Sequence, residues 1–141
     1  MNDINLMNKA ADNIRILAAS MVEKAKSGHP GGAMGGADFV NVLFSEFLVY
    51  DPKNPTWEGR DRYFQDPGHM SPMLYSVLAL TGKFTIDELK EFRQWGSVTP
   101  GHPEVNVMRG IENTSGPLGQ GHTYAVGAAI AAKFLKARLG D

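Results

Sequence analysis

The chain has 141 residues, of which 43% are hydrophobic and 21% charged, and its formal net charge is −1. These values are typical of globular proteins and argue against disorder, and so small a charge gives no electrostatic basis for binding nucleic acid or an anionic membrane surface. With no cysteine, no signal peptide and no apolar run of the roughly 20 residues that span a bilayer, the sequence favours a cytoplasmic protein without disulfides.

The first half of the chain predicts two helices. Apolar residues recur at three- and four-residue spacing over 3–26, which indicates one amphipathic helix, capped by Asn2 or Asp3 and ended by Gly28. A second helix is expected over 34–48. Its inner face is predicted to consist of Phe39, Leu43, Phe44 and Phe47.

Prolines and glycines punctuate the middle of the chain. Prolines 52 and 55 follow Asp and Asn, which predicts an extended loop. Tyr63-Phe64 is the one good strand candidate, and it is short. Residues 70–81 form the next predicted helix, which Gly82 ends.

The last third of the chain begins and ends with helical signals. Thr85 and Glu88 match a capping box, so a helix is expected from there to about Trp95. Residues 96–118 lack periodicity and predict a long loop that is either functional or disordered. A final helix is expected from about Gly121. One face of it carries Ala125, Ala128, Ala129, Ala132 and Leu135. This small apolar face has no predicted sheet to cover, so we expect the domain to continue past Asp141, to which we assign no metal.

Four histidines, at positions 29, 69, 102 and 122, are the candidate chemical groups. Their wide spacing and the lack of cysteine argue against a zinc site. The first three each follow a glycine directly, and His29 and His102 also precede a proline. Glycine permits tight turns, while proline restricts the residue before it to extended conformations. One such motif is explained by an exposed turn, but three of them favour a site built from stiffly held imidazoles.

Residues 116–121 form a glycine-rich loop that leads directly into the last helix. Such a loop can present unpaired backbone N–H groups to a ligand. It matches neither the dinucleotide-binding fingerprint nor the Walker loop. An ordinary junction between loop and helix is the alternative.

Taken together and in order, these motifs resemble the transketolase family over residues 10–136. The matching segments are Ser27-Gly28-His29-Pro30-Gly31, Gly36-Ala37-Asp38, Leu43-Phe44, Asp51-Pro52, Asn54-Pro55, Arg60-Asp61-Arg62, Gly68-His69, Leu74-Tyr75-Ser76, Leu80-Thr81-Gly82, Phe92-Arg93-Gln94, Thr99-Pro100-Gly101-His102-Pro103-Glu104 and Gly116-Pro117-Leu118-Gly119-Gln120-Gly121.

The resemblance implies an α/β fold of the thiamine-diphosphate-binding type, of which this N-terminal portion would be mostly helical. It implies transfer of a two-carbon ketol unit from a ketose phosphate to an aldose phosphate, with thiamine diphosphate and Mg²⁺ or Ca²⁺. His29 and His102 would be catalytic and hydrogen-bond the hydroxyls of the donor, and His69 would reach the cofactor diphosphate. Gly116 and Leu118 would line the cofactor rings.

The resemblance also implies what lies outside these residues. The metal ligands are expected beyond residue 141, and a glutamate that activates the cofactor is expected from the second subunit of a homodimer. The active site would therefore lie at a subunit interface, and we expect the 141 residues alone to be inactive. Residues 1–141 would form an incomplete part of the diphosphate-binding domain.

Two segments depart from the family pattern. Residues 65–67, Gln-Asp-Pro, stand where the family commonly has Leu-Ser, and His122-Thr123 stands where an aliphatic and a small residue are usual. His122 would add a fourth imidazole near the cofactor or only cap the helix. Two other functions remain open: another ketol-handling thiamine enzyme, of the dihydroxyacetone or deoxyxylulose-phosphate synthase type, and a non-catalytic helical module.

Overall fold

Helices account for nearly all regular structure in the computed structural model, which describes residues 2–140. Asp141 lies outside the described residues. The α-helices are α1 (Ile4–Ala25), α2 (Pro30–Gly35), α3 (Ala37–Val42), α4 (Ser71–Leu80), α5 (Ile86–Lys90) and α6 (Gln120–Leu139). A π-helical turn, Leu43–Phe47, follows α3, and the 3₁₀ turns are Gly68–Met70 and Val107–Arg109. Within residues 2–140 no helix is both long and apolar enough to cross a membrane.

The first helix confirms the predicted amphipathic segment. Asp3, not Asn2, caps it, and its side chain accepts a hydrogen bond from the Leu6 backbone N–H at 3.0 Å. The predicted stop at Gly28 is wrong, because Lys26 already adopts a left-handed conformation with φ of 49° and ends the helix. The buried face of α1 packs mainly on α4 and on α2 and α3.

The prediction of one continuous helix over 34–48 is wrong, and so is the predicted set of inward-facing residues. The structure has α2, α3 and the π-helical turn in its place, and Phe39 and Phe47 are 66% and 70% exposed. Of the four predicted inward residues only Phe44 is buried. The buried residues of α2 and α3 are Ala33, Ala37, Val40 and Asn41, and the chain between the two helices approaches α4 closely. A Cβ on Gly36 would lie 2.6 Å from the Met73 sulfur.

Helix α4 forms the centre of the core and confirms the helix predicted over 70–81. Its residues 71–78 are all buried, and Tyr75 packs against Phe84 and Phe92 with ring centroids 5.4 and 6.4 Å away. The predicted capping box is present in both directions, with the Thr85 and Glu88 side chains bonded to each other's backbone N–H groups. Helix α5 nevertheless ends at Lys90, well before Trp95.

The predicted strand at Tyr63-Phe64 is wrong. Residues 2–140 contain no strand, and their one β-bridge pairs Asn106 with Ile111. The backbone groups of Gln65, the next residue, bond to a side chain and not to a neighbouring strand. The Gln65 N–H donates to the Asn113 Oδ1 at 2.9 Å, and the Asn113 amide donates to the Gln65 carbonyl at 3.2 Å. A strand requires a backbone partner, and this segment has a buried amide instead.

Helix α6 begins at Gln120, one residue before the predicted start. Gly121 is buried at its base, but most of the helix beyond is exposed, including Val126, Ile130 and Phe134. The predicted alanine-rich face therefore has little cover among residues 2–140.

Candidate functional site

Three of the four histidines converge, although 40 and 33 residues separate them along the chain. The rings of His29 and His69 lie with centroids 4.7 Å apart and an interplanar angle of 45°. The loop of His102 joins them, because the Ser71 hydroxyl, two residues after His69, donates to the carbonyl of Gly101 at 2.7 Å. His29 and His102 are exposed and His69 is half-buried, so the group faces outward from the core.

The backbone around His29 is fixed on both sides. Gly28 adopts φ of 137°, and a Cβ there would lie 3.0 Å from Val22 and 3.2 Å from Phe92. Only glycine takes such a conformation readily. Pro30 starts α2 directly afterwards, and His29 itself is extended, with φ of −125° and ψ of 97°. The Gly-His-Pro motif therefore places the imidazole at the start of a helix, as its composition suggests.

Hydrogen bonds from α4 hold the loop that carries His102. The Tyr75 hydroxyl donates to the Pro100 carbonyl at 2.8 Å, and the Ser71 hydroxyl donates to the Gly101 carbonyl at 2.7 Å. Pro103, directly after His102, is buried. The aperiodic segment predicted over 96–118 is thus an anchored loop in this part.

Arg93 is a residue of this site to which the sequence analysis gave no role. Its Nη1 donates to the Ser27 hydroxyl at 2.8 Å, and its Nε lies 2.7 Å from where a Cβ on Gly101 would be. Its backbone takes a left-handed conformation with φ of 62°. The side chain thus bridges the segments that carry His29 and His102. A signal for it was present in the family-like Phe92-Arg93-Gln94 motif.

The surroundings of His102 disfavour its charged form. Partial burial of the imidazole lowers its pKa below the ordinary value, and the positive charges of Arg93, His69 and His29 lower the pKa further. A lowered pKa means that the imidazole is unprotonated at neutral pH, so one ring nitrogen donates and the other accepts a hydrogen bond. This is the form that can bind a hydroxyl group as both donor and acceptor.

The glycine-rich loop lies directly against the segment that carries His69. A Cβ on Gly68 would lie 2.8 Å from the Ser115 carbonyl oxygen, so the residues next to them, His69 and Gly116, belong to adjoining segments. Leu118 is 74% exposed, and a Cβ on Gly116 would meet no atom within 4 Å. The loop thus offers open space at Gly116 and an exposed apolar side chain at Leu118.

One predicted property of this loop is corrected. The Gly119 N–H is not available to a ligand, because it donates to both carboxylate oxygens of Asp66 at 3.2 Å. His122 pairs with the same carboxylate, its Nδ1 lying 2.5 Å from the Asp66 Oδ2. Gly119 is the N-cap of α6, and since glycine has no side chain, no side-chain hydrogen bond caps the helix at this residue.

A cleft of about 1060 Å³ opens beside His102. Its lining includes Ser27, Arg93, His102, Glu104 and Asn106, but neither of the other two converging histidines. The cleft therefore presents hydroxyl, amide, cationic and anionic groups next to the imidazole, which suits a small polar ligand.

The site offers a ligand both polar and apolar contacts, which a cofactor with polar groups and aromatic rings can use. The imidazoles, the exposed Leu118 and the space at Gly116 offer polar and apolar contacts. No group of three His, Cys, Asp or Glu side chains that could hold a metal ion occurs within residues 2–140.

Comparison with known proteins gives consistent matches. The family model described as "Transketolase, thiamine diphosphate binding domain" matches residues 6–141. A transketolase of Buchnera aphidicola is 54% identical over 131 residues, covering 92% of this chain and 20% of that protein. Transketolase 1 of Escherichia coli is 54% identical over 129 residues, covering 91% of this chain and 20% of its own length. The chain thus spans about a fifth of the curated relatives that it matches.

Solved structures agree. The crystal structure of transketolase from Campylobacter jejuni superposes with a TM-score of 0.92 at 48% identity, covering 99% of this chain and 22% of that one. Transketolase from Leishmania mexicana gives a TM-score of 0.90 at 47% identity, with 96% and 20% covered. These matches confirm the expected fold, with this mostly helical segment as its N-terminal portion.

Proposed function

This chain belongs to the transketolase family, and on that premise we propose that it forms part of the thiamine diphosphate site of an enzyme that transfers ketol units. The full protein would move a two-carbon unit from a ketose phosphate to an aldose phosphate. One observation carries the proposal: three imidazoles from distant segments converge beside a glycine loop with open space and an exposed Leu118.

The residues divide into two groups by position. His29 and His102 would hydrogen-bond the hydroxyls of the donor sugar, and the cleft beside His102 supports a polyol there. His69, half-buried beside the glycine loop, would bind the cofactor diphosphate. Gly116 and Leu118 would line the rings of the cofactor.

When bound, thiamine diphosphate supplies the electron sink for breaking and forming the carbon–carbon bond. The protein's contribution is to bind and orient the reactants. Neutral His102 can donate a proton in one hydrogen bond and accept one in another. Arg93 links the loop of His102 to the segment of His29, because its side chain donates to Ser27 and its backbone N–H donates to the Thr99 carbonyl at 3.0 Å. Held donors of this kind stabilise charge that develops during the reaction.

The wider setting is part of the same proposal. A Mg²⁺ or Ca²⁺ ion would neutralise the diphosphate through ligands outside residues 2–140. A homodimer with the active site at its interface, and a cytoplasmic location, complete the proposal.

Alanine variants of the complete natural chain that contains these residues test the assigned roles. We expect His29→Ala and His102→Ala to lower kcat by about 10²- to 10³-fold while the Kd of thiamine diphosphate changes little. His69→Ala should instead raise that Kd. Asp87→Ala, which removes an exposed carboxylate paired with Lys90, is the control and should change neither value. The assignment is wrong if all three histidine variants lose cofactor equally and keep normal turnover at saturation.

A further inference from the structure

The two segments that depart from the family pattern meet in the structure. The Asp66 side chain is only 6% exposed, and its carboxylate receives the Gly119 N–H and the His122 Nδ1. His122 is 79% exposed and lies in the first turn of α6. One buried carboxylate therefore joins the end of the glycine loop to the segment three residues before His69.

The backbones of these two segments also approach closely at both ends. A Cβ on Gly121 would lie 2.5 Å from the Asp66 Cβ, and a Cβ on Gly68 would lie 2.8 Å from the Ser115 carbonyl oxygen. Residues 65–68 and 115–121 thus lie in direct contact at both ends. The hydrogen bonds of Asp66 stabilise that contact at the end nearest α6.

We propose that Asp66 and His122 are positioning residues that hold the glycine loop against the segment of His69, so that both face one cofactor. This inference rests on the proposed function, because it assigns these residues to the geometry of the same thiamine diphosphate site. The Gly119 N–H and the imidazole also supply the hydrogen bonds that a carboxylate on a buried side chain needs.

The geometry further fixes the state of His122. An imidazole whose Nδ1 faces a carboxylate oxygen at 2.5 Å donates that hydrogen, which leaves Nε2 as the outward acceptor in the neutral form. His122 thus orients Asp66 toward Gly119 from the solvent side, while the N–H of Gly119 fixes it from the loop.

The Kd of thiamine diphosphate, measured by calorimetry on the complete natural chain, tests the proposal. We expect Asp66→Ala to bind about tenfold more weakly, because it removes hydrogen bonds to a charged group. Asp66→Asn keeps an acceptor for the Gly119 N–H and should bind within about threefold of the wild type. In the double variant of Asp66→Ala and His122→Ala, cofactor binding should be no weaker than in Asp66→Ala alone, because both changes remove one shared contact.

Turnover separates positioning from catalysis. At saturating cofactor, kcat of each variant should stay within about twofold of the wild type. Asp87→Ala serves again as the control and should leave the Kd unchanged. Unchanged or tighter cofactor binding in Asp66→Ala would overturn the proposal, as would failure of Asp66→Asn to recover affinity.

A second measurement keeps the proposal decidable if Asp66→Ala does not fold. Nitrogen-15 NMR of selectively labelled histidine, without cofactor, should show the His122 ring protonated at Nδ1 in the neutral form. The opposite tautomer would overturn the proposal. If the wild type does not bind thiamine diphosphate, the proposed function is refuted, and with it the role of Asp66 and His122. If the wild type binds and the variants bind equally well, only the positioning role of Asp66 and His122 is refuted.

Discussion

Tyr75→Phe removes one hydroxyl from the core and should loosen the loop of His102. The Tyr75 ring is fully buried, and its hydroxyl donates to the Pro100 carbonyl at 2.8 Å, two residues before His102. Burial and the charge of Glu104 raise the pKa of Tyr75, so the hydroxyl remains a donor throughout the physiological range. Phenylalanine fills the same space but leaves the carbonyl without this donor.

The size of the effect follows from the loss of this part-buried hydrogen bond, which contributes about 0.5–1.5 kcal/mol. If this cost falls on local opening of the loop, the open population rises about 2- to 13-fold. The Ser115 N–H donates to the Pro103 carbonyl at 3.0 Å, so its exchange with solvent reports this opening.

Hydrogen exchange followed by mass spectrometry on the complete natural chain measures the effect in peptides that cover 99–115. Tyr50→Phe is the matched control, since the Tyr50 hydroxyl makes no hydrogen bond among the described residues and its ring packs on Phe44. We expect faster exchange in Tyr75→Phe alone, with lower kcat and an unchanged Kd for cofactor. Equal exchange in the two variants would refute the view that α4 holds this loop.

Three further predictions concern the base of α6, the charge of one imidazole and the isolated segment. Gly121→Ala should destabilise the protein, because the new Cβ would lie only 2.5 Å from the Asp66 side chain. In Gly127→Ala the new Cβ would have no atom within 4 Å, so this variant should stabilise α6 by about 0.5–1 kcal/mol. Thermal unfolding measures both effects. Arg93→Gln removes a cation that lowers the pKa of His102, so the NMR titration of His102 and the acidic limb of kcat should both move to higher pH; a shift to lower pH would contradict this electrostatic reasoning. Expressed alone, the 141 residues should bind thiamine diphosphate more weakly than about 1 µM, since a helix terminus contributes only about 0.3–1 kcal/mol of the roughly 8 kcal/mol required; micromolar binding in calorimetry would disprove this.

Sequence alone was sufficient for features that depend on local spacing. The apolar period of α1, the capping box of Thr85 and Glu88, and the helix of 70–81 are confirmed because each is encoded within a few turns. The ordered motifs also led to the correct family. The roles assigned to the three histidines stay predictions, although their convergence is what a shared site requires.

Local pattern misled where packing depends on what lies opposite. Phe39 and Phe47 have helical spacing but are exposed, whereas the buried face of α3 consists of Ala37, Val40 and Asn41. Tyr63-Phe64 has strand propensity, yet no strand among residues 2–140 pairs with it, and the Asn113 side chain bonds the adjoining backbone. The hydrophobicity and propensity of a residue indicate which environment it prefers, but they do not determine which residues pack against it in the fold.

The candidate site shows most clearly which features follow from local sequence and which depend on tertiary packing. Glycines and prolines in the sequence indicated three stiffly held imidazoles, since such backbone constraints are local. No pattern in the sequence indicated a role for Arg93 between Ser27 and Gly101, or a partner for Asp66. Contacts between residues 53 or 66 positions apart leave no periodic signal, because they exist only after the helices have packed and brought their loops together.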